Sequence, residues 1–332
     1  MNKQVAINFK TIVLTILFLL FLGFLALIID LLLILFVAYI LFATLNPLIE
    51  WLQRRGIIRP VAVLLTVLSI FLVLGLLFFA GVAPIAGQFN VLVERITKVV
   101  GDLRIFDFFN LEIIERELRE ASGELVNFFL NILGNVVIIV SVIAFTIYFL
   151  LARKKYESLV ESLSQDRKEV RDTIYKIERK LGAWLRGQFL LSLVIGILYF
   201  IVLTILDVGL SLPLAIIGAL LEIIPIIGPI LAWIPAVLVA LTISPLTALL
   251  VTIAYIVIQQ IESEAISPIM LGRVVSLDPI LILIAVSIGQ RLLGFAGILL
   301  AVPVTVVIQI IITEILARRG GDFLSLFKNN HK

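Results

Sequence analysis

The chain predicts an all-α polytopic membrane protein, and three observations point to that class. Of its 332 residues, 62% are hydrophobic and only 15% charged, with a mean hydropathy of +1.21, far above what soluble globular chains show. The apolar residues form continuous leucine- and isoleucine-rich runs of about 20, the length a helix needs to cross ~30 Å of hydrocarbon. A β-barrel would instead alternate polar and apolar residues in ten-residue segments. Lysine and arginine, finally, collect in the connections between runs, where they set orientation.

The elements follow in order. Residues 11–45 carry one charge, Asp30, and a 35-residue helix of about 52 Å would overrun the bilayer, so the segment bends or folds back; a reversal is placed at Asp30 between helices 11–29 and 31–53, with a single strongly tilted helix as the alternative. Lys3 and Lys10 before the first run resemble a signal peptide, but no small-residue cleavage site follows, and the segment reads as a retained anchor. Arg54, Arg55 and Arg59 mark a cytoplasmic turn, and residues 61–82 form the next span. The N-terminal helices thus occupy 1–83.

Residues 84–131 change character, with five basic against eight acidic side chains, and read as an external arm. Its apolar positions Phe89, Leu92, Ile96, Val99 and Leu103, then Ile114, Leu118, Ala121, Leu125 and Phe128, recur at helical spacing. Two amphipathic helices follow, either resting on the bilayer or packing against neighbouring subunits. Residues 132–152 return through the membrane. Residues 153–187 then hold ten basic against six acidic side chains and belong to the cytoplasm. Their stripe Val170, Ile174, Ile177, Leu181 and Trp184 is too short for a lasting coiled coil, so packing under the membrane helices is favoured over dimerisation.

A core bundle, 188–318, completes the membrane part, and 319–332 is a cytoplasmic tail. Within the bundle, 212–241 holds a single ionisable residue, Glu222, and is crowded by Pro213, Gly218, Pro225, Gly228, Pro229 and Pro235. Each proline removes a backbone donor and crowds the preceding turn, so no unbroken helix is expected. Broken backbone in hydrocarbon survives only inside protein or beside a polar cavity, the setting of transporter sites. A second unit, 279–317, echoes the first: Pro213 and Pro279 each lie fifteen residues before a glycine, Gly228 and Gly294, with Pro235 and Pro303 beyond. Two such hairpins separated by one span, 245–261, would enter from opposite faces, as inverted repeats do. This arrangement puts both termini and 20 of the 26 lysines and arginines on the cytoplasmic side.

The stretches LEIIPIIGPILAWIP at 221–235, SPIMLGRVVSLDP at 267–279 and GFAGILLAVPVTVV at 294–307, with AYILFATLNPLIEWLQRRGI near the start, resemble the autoinducer-2 exporter (AI-2E) family of permeases. The likeness runs in order along essentially the whole chain. It implies about eight membrane-embedded helical segments in the inner (plasma) membrane, a bundle with two hairpins that moves like an elevator, an arm, and a homopentamer. Members are associated with export of autoinducer-2, a small polar furanone, or with sodium/proton exchange. Carried over residue by residue are Pro225, Gly228 and Pro229 of the first tip, Pro268, Gly272 and Arg273 of the loop, and Gly294, Gly297 and Pro303 of the second unit. All shape backbone.

Among side chains that carry chemistry, Glu222 stands first, since an acidic group at mid-membrane costs roughly 2.5 to 3.5 kcal/mol on insertion scales. It reads as a proton or cation site, or as a hydrogen-bonded structural group. Gln290 and Arg291 lie at the second tip, where Arg291 either neutralises Glu222 or snorkels to the surface. Gln259 and Gln260 sit deeper than Glu262 and Glu264 at the end of 245–261; the glutamines fit a polar path and the glutamates a solvated helix end. Asp30 and Asp207 read as external turns.

Cysteine is absent, and no H-E-x-x-H, G-x-S-x-G or G-x-x-x-x-G-K-[ST] pattern occurs, so no enzyme, metal or cofactor chemistry is expected. A net charge of +3 describes no nucleic-acid binder. The expected function is export of a small polar solute by a secondary transporter. A monovalent cation/proton antiporter is the nearer alternative, and an oligomeric scaffold recruiting a partner through 153–187 the distant one.

Overall fold

A computed structural model of the protein describes residues 27–82, 84, 135–164, 168–224, 227–270 and 278–318, with isolated positions between 13 and 24. The expected arm, Pro225, Gly272, Arg273 and the C-terminal tail lie outside these residues. The helices are α1 (Ile29–Arg54), α2 (Arg59–Leu77), α3 (Val136–Leu151), α4 (Arg153–Ser164), α5 (Lys168–Ile205), α6 (Ser211–Leu221), α7 (Ile227–Leu241), α8 (Pro245–Ile261), α9 (Ser267–Met270) and α10 (Pro279–Arg318). Two short π-turns, Phe78–Val82 and Glu262–Ile266, extend α2 and α8. Among the described residues, five helices are long and apolar enough to cross a membrane, or six when α3 and α4, bent by 76°, count as one broken span. The protein is thus an all-α, multi-pass membrane protein.

Local chemistry explains the boundaries. Pro60 lies in the first turn of α2, where its missing N–H costs nothing. Ser244 caps α8, its Oγ accepting from the Thr247 N–H at 3.0 Å, with Pro245 as the first helical residue. The turn between α5 and α6 places Asp207 and Leu210 at φ 53° and 65°. At the start of α1 the chain differs from expectation. Ile28 (φ −103°, ψ 9°) accepts from Leu32 at 3.0 Å and donates to Phe24 at 3.2 Å, so helical bonding continues on both sides. The chain bends there instead of reversing, and Asp30 lies in the first turn of α1.

Helix α5 is the spine. Its 38 residues extend about 57 Å, joining part of the charged amphipathic stretch and the following apolar span into one helix. Near its N-terminal end Leu181 and Trp184 are buried against Ile40 of α1 and Leu300, Val302, Val306 and Ile310 of α10. The C-terminal part of the stripe, Ile177, Leu181 and Trp184, thus packs against α1 and α10. Further along, Leu191, Ile195, Tyr199 and Leu203 enter a second core with α6, α7 and α8. A third core, Phe42, Ala43, Ile49, Ala62, Val63 and Leu150, joins α1, α2 and α3.

Charged groups clasp one end of this assembly. Arg59 donates to the Leu150 carbonyl at 2.6 Å, Asn46 Oδ1 at 2.8 Å and Gln53 Oε1 at 3.0 Å, tying together the ends of α1, α2 and α3. Arg153 pairs with Glu178 at 2.6 Å, and Lys176 with Glu314 at 2.6 Å. Pro47 lies inside α1 and leaves the Ala43 carbonyl without its usual i+4 donor. Arg186 of α5 reaches across to that carbonyl at 3.2 Å and to the Thr44 carbonyl at 3.1 Å.

The proline-rich units break at fewer places than the sequence suggests. Residues 211–241 divide into α6 and α7, of about 16 and 22 Å, each shorter than the hydrocarbon core. Pro235 interrupts neither, lying inside α7. Pro303 likewise lies inside α10, which departs from helical dihedrals only at Gly294 (φ 58°, ψ −134°). Both prolines are accommodated within helices because neighbouring groups and small local adjustments can serve the freed carbonyls in a bundle.

Candidate functional site: a buried polar cluster at the α6–α7 break

The break after Leu221 brings backbone very close to backbone. A Cβ added at Gly228, at the start of α7, would collide with the Leu221 carbonyl, so only glycine admits this approach. Within the turn, the Ile224 N–H donates to Leu221 and the Gly228 N–H to Ile224, each at 2.9 Å. The last carbonyls of a helix lack intrahelical donors. Gln188 of α5 supplies one: its Nε2 donates to the Glu222 carbonyl at 2.7 Å. A side chain from another helix thus satisfies one backbone carbonyl at the break.

Glu222 itself is 1% exposed, and its carboxyl hydrogen-bonds with that of Glu262, which is 8% exposed. Glu262 Oε2 also accepts from Gln259 Nε2 at 2.7 Å. Glu262 continues the buried stripe Val251, Tyr255 and Ile258 of α8, at spacings of four, three and four, and Gln259 lies three residues before it. Gln260 and Glu264 are exposed and bond to each other. The sequence reading of both glutamates as a solvated end therefore holds for Glu264 and fails for Glu262.

Tyr199 and Tyr255 stack beside the pair, with ring centroids 4.2 Å apart and planes at 10°. Tyr199 lies close enough to interact electrostatically with both Glu222 and Glu262. Ser192 Oγ, the Tyr199 and Tyr255 hydroxyls, Glu222 Oε2 and Gln259 Oε1 are all buried with no hydrogen-bond partner. Buried polar atoms normally find partners, so a concentration of orphans on adjoining helices marks a place built to receive something polar. The oxygens are carboxyl, hydroxyl and amide, and among the described residues no cluster of metal-ligating type accompanies them.

The other candidates lie elsewhere. Pro213 is buried in the first turn of α6, Pro229 is buried in the first turn of α7, and Pro268 is exposed in α9. Gln290 and Arg291 are exposed just before Gly294. Among the described residues the polar partners of Glu222 are Gln188 and Glu262, and Arg291, read either as its counter-charge or as a surface group, is exposed. At this second break, a Cβ on Gly289 or Gly297 would strike the other's carbonyl. Residues eight apart in a straight helix would be separated by about 12 Å, so the chain doubles back at Gly294. Sequence reasoning missed Gln188, Ser192, Tyr199 and Tyr255. The signal was present in Gln188 and Ser192, polar residues four apart in an apolar span.

The chain matches the AI-2E family transporter over residues 13–317. It belongs to the AI-2E transporter family. Similar proteins named for transport include YueF of Bacillus subtilis (strain 168), 27% identical over 81% of this chain and 80% of that one. YhhT of Escherichia coli (strain K12) is 26% identical over 85% and 83%. YrrI of Bacillus subtilis is 33% identical over 43% of this chain, a match covering 40% of YrrI. The AI-2 transport protein TqsA of Escherichia coli (strain K12) is 28% identical over 41% and 39%. Membership places this AI-2E protein among transport proteins, not enzymes.

Proposed function

We propose that this AI-2E protein is a secondary transporter that exports a small polar solute, such as an autoinducer-2-like signal, by alternating access. The observation that carries the reading is the break between α6 and α7, a stretch too short to span, lined by buried oxygens without partners. The name of TqsA supports an autoinducer-2-like cargo. In this proposal 212–241 and 279–317 act as a pair of re-entrant hairpins, bringing the membrane-embedded segments to about eight with 84–131 as an arm. The bundle slides against α1, α2 and α3 like an elevator, both termini are cytoplasmic, and copies assemble as a homo-oligomer. Gln290, Arg291, Pro268, Gly272 and Arg273 then flank the moving part.

Flux into and out of proteoliposomes, measured across a panel of polar metabolites and cations, tests this. Folded protein carrying Pro225→Leu and Gly228→Leu is expected to lose flux, and unchanged flux would overturn the proposal. A cation/proton antiporter is the second reading, favoured by the all-oxygen character of the cluster. Dye-reported proton movement on sodium addition, abolished by Glu222→Gln, would select it. The scaffold alternative is weakened because Leu181 and Trp184 are already occupied by α1 and α10.

A further inference from the structure

We propose that Glu222 and Glu262 form a single-proton site, one proton shared between two carboxyl groups, and that it latches the α6–α7 break to the π-turn after α8. The chemistry follows from contact. Two carboxylates are acceptors only, so a hydrogen bond between them requires a proton on one oxygen. With both ionised, two like charges would be held together in a buried place, an arrangement that drives one carboxyl to keep its proton or the two to separate.

The surroundings fix both the location and the number of protons. Gln259 donates to Glu262 Oε2, which commits that oxygen as an acceptor. Gln188 holds the Glu222 backbone by its carbonyl, leaving the carboxyl free to face Glu262. Glu222 Oε2 remains buried without a partner, and so does the hydroxyl of Tyr199, a fully buried side chain that senses both carboxyls. These are independent signs that the place accepts a further polar species, and a proton's departure would require one to arrive or the walls to part.

The neighbours offer no counter-charge. Among the described residues, α5 contributes Tyr199 to the cluster and α8 contributes Tyr255, while α7, α9 and the π-turn at Phe78–Val82 have no ionisable side chain. Glu264, on the same π-turn as Glu262, is exposed and engaged with Gln260. Among the described residues no lysine or arginine pairs with either carboxyl, and a proton is what neutralises them. The two carboxyls sit on separate elements, Glu222 just past α6 and Glu262 on the extension of α8. Gain of the proton closes the contact; loss of it loosens the break. The site itself rests on the burial of the two carboxyls and their interaction, and only its use in coupling rests on the transport reading above.

Infrared spectroscopy on the full-length protein in lipid reads the proton directly, without flux. The wild type is expected to show a protonated-carboxyl band that shifts in D₂O, persists at a pH where exposed carboxylates are ionised, and disappears in both Glu222→Gln and Glu262→Gln. Glu264→Gln is expected to keep it. Absence of the band in folded wild type overturns the proposal, and so does its survival in Glu262→Gln, which would assign the proton to Glu222 alone. If one variant fails to fold, the other still decides. A second measurement separates the site from its use. Where flux is present, its pH dependence is expected to be lost in either variant; a band that behaves as described, with flux indifferent to pH, would retain the proton site and remove the coupling.

Discussion

The two backbone breaks of this AI-2E protein solve the same problem by opposite means. At the α6–α7 break the chain leaves polar groups behind and other helices come to them: Gln188 serves the Glu222 carbonyl, and Glu262 meets the Glu222 side chain. At Gly294 the chain reverses where glycines let backbone meet backbone. Its dihedrals are those of the first central residue of a type II′ turn, Gly289 and Gly297 press backbone to backbone, and the polar side chains Gln290 and Arg291 face outward. The first break is held by side chains from distant sequence, the second by local geometry. A break held by remote partners can respond to what those partners bind, whereas one held by its own glycines is a fixed corner.

Substitutions can break or sharpen that contrast. The largest effect is expected from Gly228→Val and Gly297→Val, each of which drives a side chain into a carbonyl that cannot yield. Loss of about 3 kcal/mol or more, seen as failure to purify as folded protein or a large drop in unfolding midpoint, is the expected outcome. Equal damage at both would show that close approach governs both breaks. Gln188→Leu comes next. It leaves the Glu222 carbonyl buried without a donor at a cost of about 2 kcal/mol, measured by chemical denaturation in detergent, and a cost near zero would show that the first break does not depend on remote support.

Gly294→Ala is expected to cost about 1 to 2 kcal/mol, since φ 58° with ψ −134° suits glycine and strains alanine while no neighbour obstructs a Cβ. Its effect should be confined to stability. Arg291→Gln should change the unfolding midpoint least, within about 0.5 kcal/mol, because the side chain is exposed. A large loss there would mean the second break also relies on a side chain, and the contrast would fail.

Much of the fold was legible because proline and glycine act locally. Ser244 and Pro245 announce the start of α8, and Pro279 the start of α10, at the residues where the helices begin. Glu222 was legible as a site because a lone carboxyl in thirty apolar residues has no bland place to sit. The errors came from reading prolines one at a time. Pro235 and Pro303 lie inside helices, as Pro47 does within the expected helix 31–53, where Arg186 serves the carbonyl the proline abandons. Glu262 was misjudged because beside Glu264 at a helix end it looks solvated, although it stands four residues after buried Ile258 on the inward stripe of α8.

What the sequence determined by itself is the class and the punctuation: a multi-pass helical membrane protein whose apolar runs set span lengths and whose prolines and glycines set where helices begin and where two of them break. These are properties of short stretches, governed by hydrophobic transfer and by backbone donors that are either present or missing. Only the tertiary structure decided which groups meet. Gln188, Glu222 and Glu262 come from three separate helical elements, and their contact depends on how α5 and the extension of α8 pack around the end of α6. Pairing across such distances follows from the packing of large apolar faces, and no local pattern of residues encodes it.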